Sequence, residues 1–158
     1  FFESYSARKF KELGLDINFV QDNESFSDYG VIRGLHYQLA PYTQAKLVRT
    51  VRGSILDVAV DIRKNSRTYG KHFAYELNDK TKEMLLIPRG FAHGFSVLSE
   101  TAIVNYKCDR LYENSAERGV RYNDPTIAIN WRVEPSKVKV SAKDNVLPLL
   151  GEIEVNFV

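Results

Sequence analysis

The sequence predicts a mainly β protein: one antiparallel β-barrel or jelly roll with short helices at its periphery. Two observations carry that expectation. Apolar residues recur at alternate positions in many short runs, and turn residues separate the runs at regular intervals. The chain has 158 residues, which is enough to bury a real core and too few for a second full domain. Residues 1–158 therefore read as a single domain without repeats or a low-complexity linker. The opening "FFESY" lacks both a methionine and a signal-like apolar core, so the start reads as trimmed at the N-terminus.

The first element is a helix. Ser6 can cap it, Phe10 and Leu13 share a face three residues apart, and Gly14 supplies a stop. Beyond Gly14 the period shortens to that of strands, with runs at about 17–21, 31–38, 45–52, 72–78, 84–88, 93–98 and 101–108. Asn78-Asp79, Pro88-Arg89-Gly90 and Ser99-Glu100 punctuate them. The clearest alternation is "ILDVAVDIR", where Leu56, Val58, Val60 and Ile62 interleave with Asp57, Ala59, Asp61 and Arg63, the pattern of a half-buried strand.

Composition removes several functions. A net charge of +2, with basic residues interleaved among acids, points away from nucleic acid and toward any bound anion being small. No apolar run approaches the roughly 20 residues needed to cross a bilayer, so no membrane partner is expected. The single cysteine, Cys108, has no disulfide partner and no neighbour at zinc-ligand spacing; it suits a packing role in a reducing cytoplasm.

The chain has three histidines. His72 follows a lysine where a strand starts and reads as a surface residue. His36 lies in "RGLHYQ", between Arg33 and Gln38, and His93 in "PRGFAHGF", where two glycines let the backbone turn tightly or approach a ligand. Neither has a second histidine at the spacing of a metal site, so acid–base work is favoured and no metal is expected. Alternation places Lys46 on a face with Val48, and Tyr106 with Ala102, Val104 and Cys108. Both can line a cavity, the lysine stabilising an oxyanion and the tyrosine donating a proton. The alternatives are a lysine stem lying along the barrel with its head in water, and a core tyrosine. "SAKD" resembles a capping box in which Asp144 bonds back at a helix start; the rival is a pairing of Asp144 with a histidine. Strict alternation also puts Arg33 and His36 on opposite faces. Both enter one pocket only if the strand bulges, and Gly34 is the natural place.

The motifs "FFESY", "FVQDN", "VIRGLHYQ", "QAKLVR", "DVAVDIRKNS", "IPRGFAHGFSVL", "YKCDRLY", "NDPTIAINW" and "SAKD" follow one another as in the dTDP-4-dehydrorhamnose 3,5-epimerase family, and the chain resembles that family from Phe1 to about Leu150. The resemblance implies a cupin-type jelly roll without metal or cofactor, acting on a dTDP-4-keto-6-deoxyhexose, in a homodimer that exchanges N-terminal strands. By position it makes His36 the general base, Asp144 its charged partner, Tyr106 the proton donor and Lys46 the stabiliser of the enolate oxygen. His93 becomes a contact near the sugar and Tyr112 the ring that stacks on thymine. Glu3, Gln21, Asn23, Arg33, Glu117 and Lys143 fall at nucleotide or diphosphate positions, with Gln38 also at the substrate. For Asp144 this replaces the capping box. Arg67 stands where the family commonly has proline, and Arg118 interrupts a glycine-rich turn. Single-carbon epimerisation, nucleotide-sugar binding without turnover and metal-dependent cupin chemistry are the rival functions.

Overall fold

The computed structural model describes residues 1–157. Ser6 accepts the Lys9 N–H at 3.4 Å and opens α1, Ala7–Glu12; Gly14 follows at φ +83°, a conformation that costs a glycine nothing. The face shared by Phe10 and Leu13 does not become a buried one. Leu13 is 76% exposed, while Phe10 packs sideways on Tyr5 with ring centroids 5.0 Å apart.

Eight longer strands follow: β1 Gln21–Asp28, β2 Val31–Gln38, β3 Lys46–Arg52, β4 Ser54–Asp61, β5 His72–Asn78, β6 Met84–Ile87, β7 Phe91–Val97 and β8 Thr101–Cys108. Two short ones, β9 Glu117–Gly119 and β10 Lys139–Val140, precede the helical turn α2, Ala142–Asn145. One sheet has the order β1-β8-β3-β6 and the other β10-β2-β7-β4-β5, with β9 also on β2. This is the expected two-sheet jelly roll.

The first strand lies later than the sequence suggests, beginning where the predicted run at 17–21 ends. Its inward positions are Gln21, Asn23, Ser25 and Ser27, so no apolar alternation marks it. They are polar because they face a cleft rather than the core.

One pairing departs from the antiparallel expectation: β10 runs parallel to β2, with Lys139 opposite Val31 and Val140 opposite Ile32. The parallel direction carries residues 141–144 alongside 33–36 and so delivers α2 to the middle of β2. Farther along the same strand, β9 pairs antiparallel with His36 to Gln38.

The core has two layers. Between the sheets lie Val48, Ile55, Ala59, Leu77, Ile87, Phe95, Val97, Ala102 and Val104. On the outer face of the second sheet, Leu56, Val58, Val60 and Ile62 are covered by Ile127, Trp131, Leu150 and Ile153 from the C-terminal segment. Each such aliphatic side chain contributes roughly 1.5–3 kcal/mol when fully buried. The half-buried reading of "ILDVAVDIR" is therefore corrected, because residues 55–61 of β4 are buried on both faces. The covering segment has little regular structure and satisfies its backbone by side chains: Asp124 accepts from Thr126 N, Ile127 N and Leu150 N at 2.8, 2.9 and 2.7 Å.

Candidate active site

A cavity of about 480 Å³ opens between the sheets, lined by Arg33, His36, Lys46, His93, Tyr106 and Asp144 among others. A second lobe of about 190 Å³ takes in Gln21, Asn23, Gln38, Tyr112 and Glu117, and shares His36, Lys46 and Tyr106 with the first. The two lobes form one cleft with these three side chains at the junction. The size is that of a small-molecule site.

His36 and Arg33 reach the same cavity through an irregularity at Gly34. Pairing of β2 with β7 shifts register between Arg33 and His36, as the bulge inferred from the sequence requires. Gly34 has φ +111°, and a Cβ there would stand 2.6 Å from the His93 carbonyl oxygen and 2.7 Å from Gly94 Cα. No other residue fits. Its N–H falls between β10 and β9 and finds its acceptor in Asp144 Oδ2 at 3.1 Å.

The other Asp144 oxygen lies 2.8 Å from His36 Nε2. With Nε2–H donated to the carboxylate, a neutral His36 carries its lone pair on Nδ1, which has no protein partner among the described residues. The His36 side chain is 30% exposed and Asp144 6%, so the imidazole is reachable and its partner is not. Burial raises the Asp144 carboxyl, but the His36 hydrogen bond and charge and the Gly34 N–H together hold it below the ordinary carboxylate value. The capping box forms by half. Ser141 Oγ accepts the Asp144 N–H at 3.0 Å, while the Asp144 side chain turns to His36 and Gly34 instead of back to the helix start.

Across the cleft, the sheet containing β3 and β8 contributes Lys46 and Tyr106, on the inward faces that alternation assigns them. The Lys46 ammonium stands 5.7 Å from the Tyr106 ring centroid. Neither Lys46 Nζ nor the Tyr106 hydroxyl has a hydrogen-bond partner among the described residues. Burial pushes the lysine below and the phenol above its ordinary value. His93 packs its ring edge-on against Tyr106 at 6.2 Å and is almost fully enclosed, its Nε2 2.7 Å from Asp57 Oδ1. Burial outweighs the pull of that carboxylate and lowers the imidazole, which favours the neutral ring.

Arg33 and Lys143 line the first lobe, and Gln21, Asn23, Gln38, Tyr112 and Glu117 the second. Arg33 is fixed by Nε donating to Ser27 Oγ at 3.0 Å. Gln21 Oε1 accepts the Tyr112 N–H at 2.8 Å, and Gln21 Nε2 donates to Asn23 Oδ1 at 3.0 Å. The Tyr112 hydroxyl donates to Glu117 at 2.8 Å, and Glu117 pairs with Lys143. Gln38 is committed at both ends, to Tyr42 O and Glu113 N, and so holds the loop that carries Tyr112. Glu3 is not brought to the cleft; it pairs with Lys9 at 2.7 Å in the N-terminal arm. Arg118, unexplained from sequence, donates to the Ser115 and Glu117 carbonyls and to Glu154, clamping this loop to the C-terminal segment. Nothing in the structure explains Arg67. His72 is exposed, as expected.

Two residues escaped the sequence reading, one behind His93 and one in the cavity wall. Asp57 was hidden by its alternation with apolar neighbours, although an acid inside an otherwise apolar run is itself a signal. Ser25 lines the main cavity with its hydroxyl buried and without a hydrogen-bond partner, and no pattern marks it.

The chain matches the family model of dTDP-4-dehydrorhamnose 3,5-epimerase over residues 1–152. It is 51% identical over 157 residues to the dTDP-4-dehydrorhamnose 3,5-epimerase of Shigella flexneri, covering 99% of this chain and 80% of that one. The crystal structure of a dTDP-6-deoxy-D-glucose-3,5-epimerase from Legionella pneumophila in complex with dTDP-4-keto-L-rhamnose superposes with a TM-score of 0.92. It is 45% identical over 98% of this chain and 81% of that one. A 3′-monoepimerase from Streptomyces bikiniensis in complex with dTDP-quinovose is more distant, at a TM-score of 0.85 and 30% identity over 94% and 75% of the two chains. Fold, cleft and comparisons agree: this chain belongs to the dTDP-4-dehydrorhamnose 3,5-epimerase family.

Proposed function

We propose that this protein converts dTDP-4-dehydro-6-deoxy-D-glucose to dTDP-4-dehydro-L-rhamnose by successive enolisation at C5 and C3. The observation that carries the reading is the meeting, at one junction, of three uncommitted groups from opposite sheets: a histidine with a free Nδ1, an ammonium and a phenol. Hydrogens on C3 and C5 both flank the C4 ketone. Removal of either leaves an electron pair that delocalises onto O4, so one base and one oxyanion stabiliser serve both carbons. His36 takes the proton, and Asp144 stabilises the imidazolium that forms. Lys46 meets the charge on O4. Inversion then requires a proton on the opposite face of the ring, and Tyr106, from the other sheet, supplies it and is recharged from solvent.

In this reading the nucleotide runs along the cleft, between Tyr112 in the second lobe and Arg33 and Lys143 in the first. Arg33 is suited to the diphosphate and Tyr112 to stacking on thymine, so binding energy remote from the sugar holds it in register. His93 contacts the sugar, while Gln21, Asn23, Glu117 and Lys143 frame the nucleotide side. The protein acts as a cytoplasmic homodimer in which the N-terminal arm reaches the partner's cleft. Supporting this, Glu3 lies away from its own cleft, and Phe26 and Phe73 are left more than half exposed on outer strands.

Turnover of the 4-keto substrate in heavy water, followed by NMR of the sugar protons, tests the reaction. Deuterium is expected at both C3 and C5 of the product. Label at one carbon alone would instead make this a single-carbon epimerase, and label at neither would make it a binding protein.

A further inference from the structure

Asp57 stands in the middle of β4 with none of its side chain exposed. One carboxylate oxygen holds His93, and the other, Oδ2, has no hydrogen-bond partner among the described residues. A carboxylate oxygen shut away from water without a donor is costly unless a nearby positive charge compensates it. His93 does not provide that charge, since burial favours its neutral ring. The strand neighbours of Asp57 are Phe95 and Tyr75, and the Tyr75 hydroxyl is engaged with Glu83. Asp57 shares its inward face with Ile55 and Ala59, and Lys46 shares the facing one with Val48 on the opposite sheet. The Lys46 charge acts on Asp57 across that layer, and its ammonium is likewise without a hydrogen-bond partner among the described residues.

The groups around Lys46 come from five strands: Tyr106 and Cys108 on β8, His93 on β7, His36 on β2, Asp57 on β4 and Glu117 on β9. Burial works against its charge, and Cys108, Asp57 and Glu117 work for it. The Cys108 thiol, however, is pushed up by its own burial and is uncharged near neutral pH. Glu117 is already shared between Lys143 and Tyr112. Asp57 is the anion left over.

We propose that Asp57 is a positioning residue for the oxyanion stabiliser: one of its oxygens fixes the His93 ring, and the unpartnered one is the counter-charge that keeps the Lys46 ammonium protonated in the enclosed cleft. The assignment rests on the epimerase reading for its consequence, because only the ammonium form of Lys46 can meet the charge on O4. It couples two side chains of the site through one carboxylate and makes the alkaline limit of turnover a property of Asp57.

The test compares pH–rate profiles of the intact wild-type chain and Asp57→Asn on the 4-keto substrate. Asparagine keeps an oxygen for the His93 N–H and removes the charge. The alkaline limb of kcat is expected to move to lower pH by about one unit or more, with the acid limb in place. Trace labelling of Lys46 by acetic anhydride in substrate-free protein, read by mass spectrometry across the same pH range, reports the lysine without turnover. Its midpoint is expected to fall with Asp57→Asn and to stay unchanged with Cys108→Ser. An unmoved labelling midpoint in Asp57→Asn would overturn the proposal and leave Asp57 serving His93 alone, and a shift with Cys108→Ser would assign the counter-charge to the thiol. If the wild type fails to turn over, the epimerase reading falls while the labelling still decides this one.

Discussion

Replacing His36 by alanine is expected to cut epimerisation by about 10²–10⁴-fold, the usual contribution of a positioned general base. The loss should fall on kcat, with the affinity for dTDP measured by calorimetry little changed. That division follows from the layout of the cleft. The nucleotide-side residues Arg33, Gln21 and Tyr112 are held by their own contacts to Ser27, Asn23 and Glu117, none of which passes through His36. Asp144 would lose the imidazole but keep the Gly34 N–H and the Ser141 cap, so α2 has reason to stay in place. Product formed by His36→Ala at the wild-type rate would remove the base assignment altogether.

Lys46→Met should be nearly as severe, with kcat lowered by about 10²–10³-fold, the cost of deleting one preorganised oxyanion donor. Methionine preserves much of the stem volume inside the sandwich, so the effect isolates the charge. In the ketone the oxygen carries only a partial charge, whereas in the enolate it carries most of a full one. The ammonium is thus worth more in the transition state than in the ground state, and KM should change far less than kcat. A large rise in KM with kcat preserved would instead make Lys46 a binding residue for the nucleotide.

Much of this site was legible because a strand has a fixed period. Alternation alone put Lys46 beside Val48 and Tyr106 beside Val104, and both face the cleft. It also exposed its own limit at Arg33 and His36, which no regular strand could bring together, and so pointed to Gly34, where the register does shift. Asp144 was the harder case. Ser-x-x-Asp spacing encodes a local cap, and the cap half-forms, but the partner of the carboxylate lies 108 residues away and depends on the parallel pairing of β10 with β2. Nothing local encodes that. The resemblance to a family supplied it.

Two kinds of information stayed hidden. Strand β1 is polar on the side that faces the cleft, so the pattern that reveals strands elsewhere is erased by the function of this one. Regular alternation with apolar residues gives Asp57 the pattern of the wet side of a half-buried strand. Its own face, shared with Ile55 and Ala59, is closed by the opposite sheet, and the other face, Leu56, Val58 and Val60, by a C-terminal segment held by Asp124 and Trp131, whose irregular backbone leaves no period to read. A strand covered on both faces should be nearly continuous in apolar residues, and the acids that interrupt such a run are the ones to examine for function.

Proton delivery from both faces of the hexose ring is the centre of this account, and Tyr106→Phe in heavy water tests it most directly. The variant removes only the phenolic hydroxyl. His36 can still withdraw a proton, exchange it with solvent and return deuterium to the face it came from. The recovered sugar is therefore predicted to carry label with its configuration retained, and to yield little inverted product. Inversion by Tyr106→Phe at the wild-type rate would contradict the account.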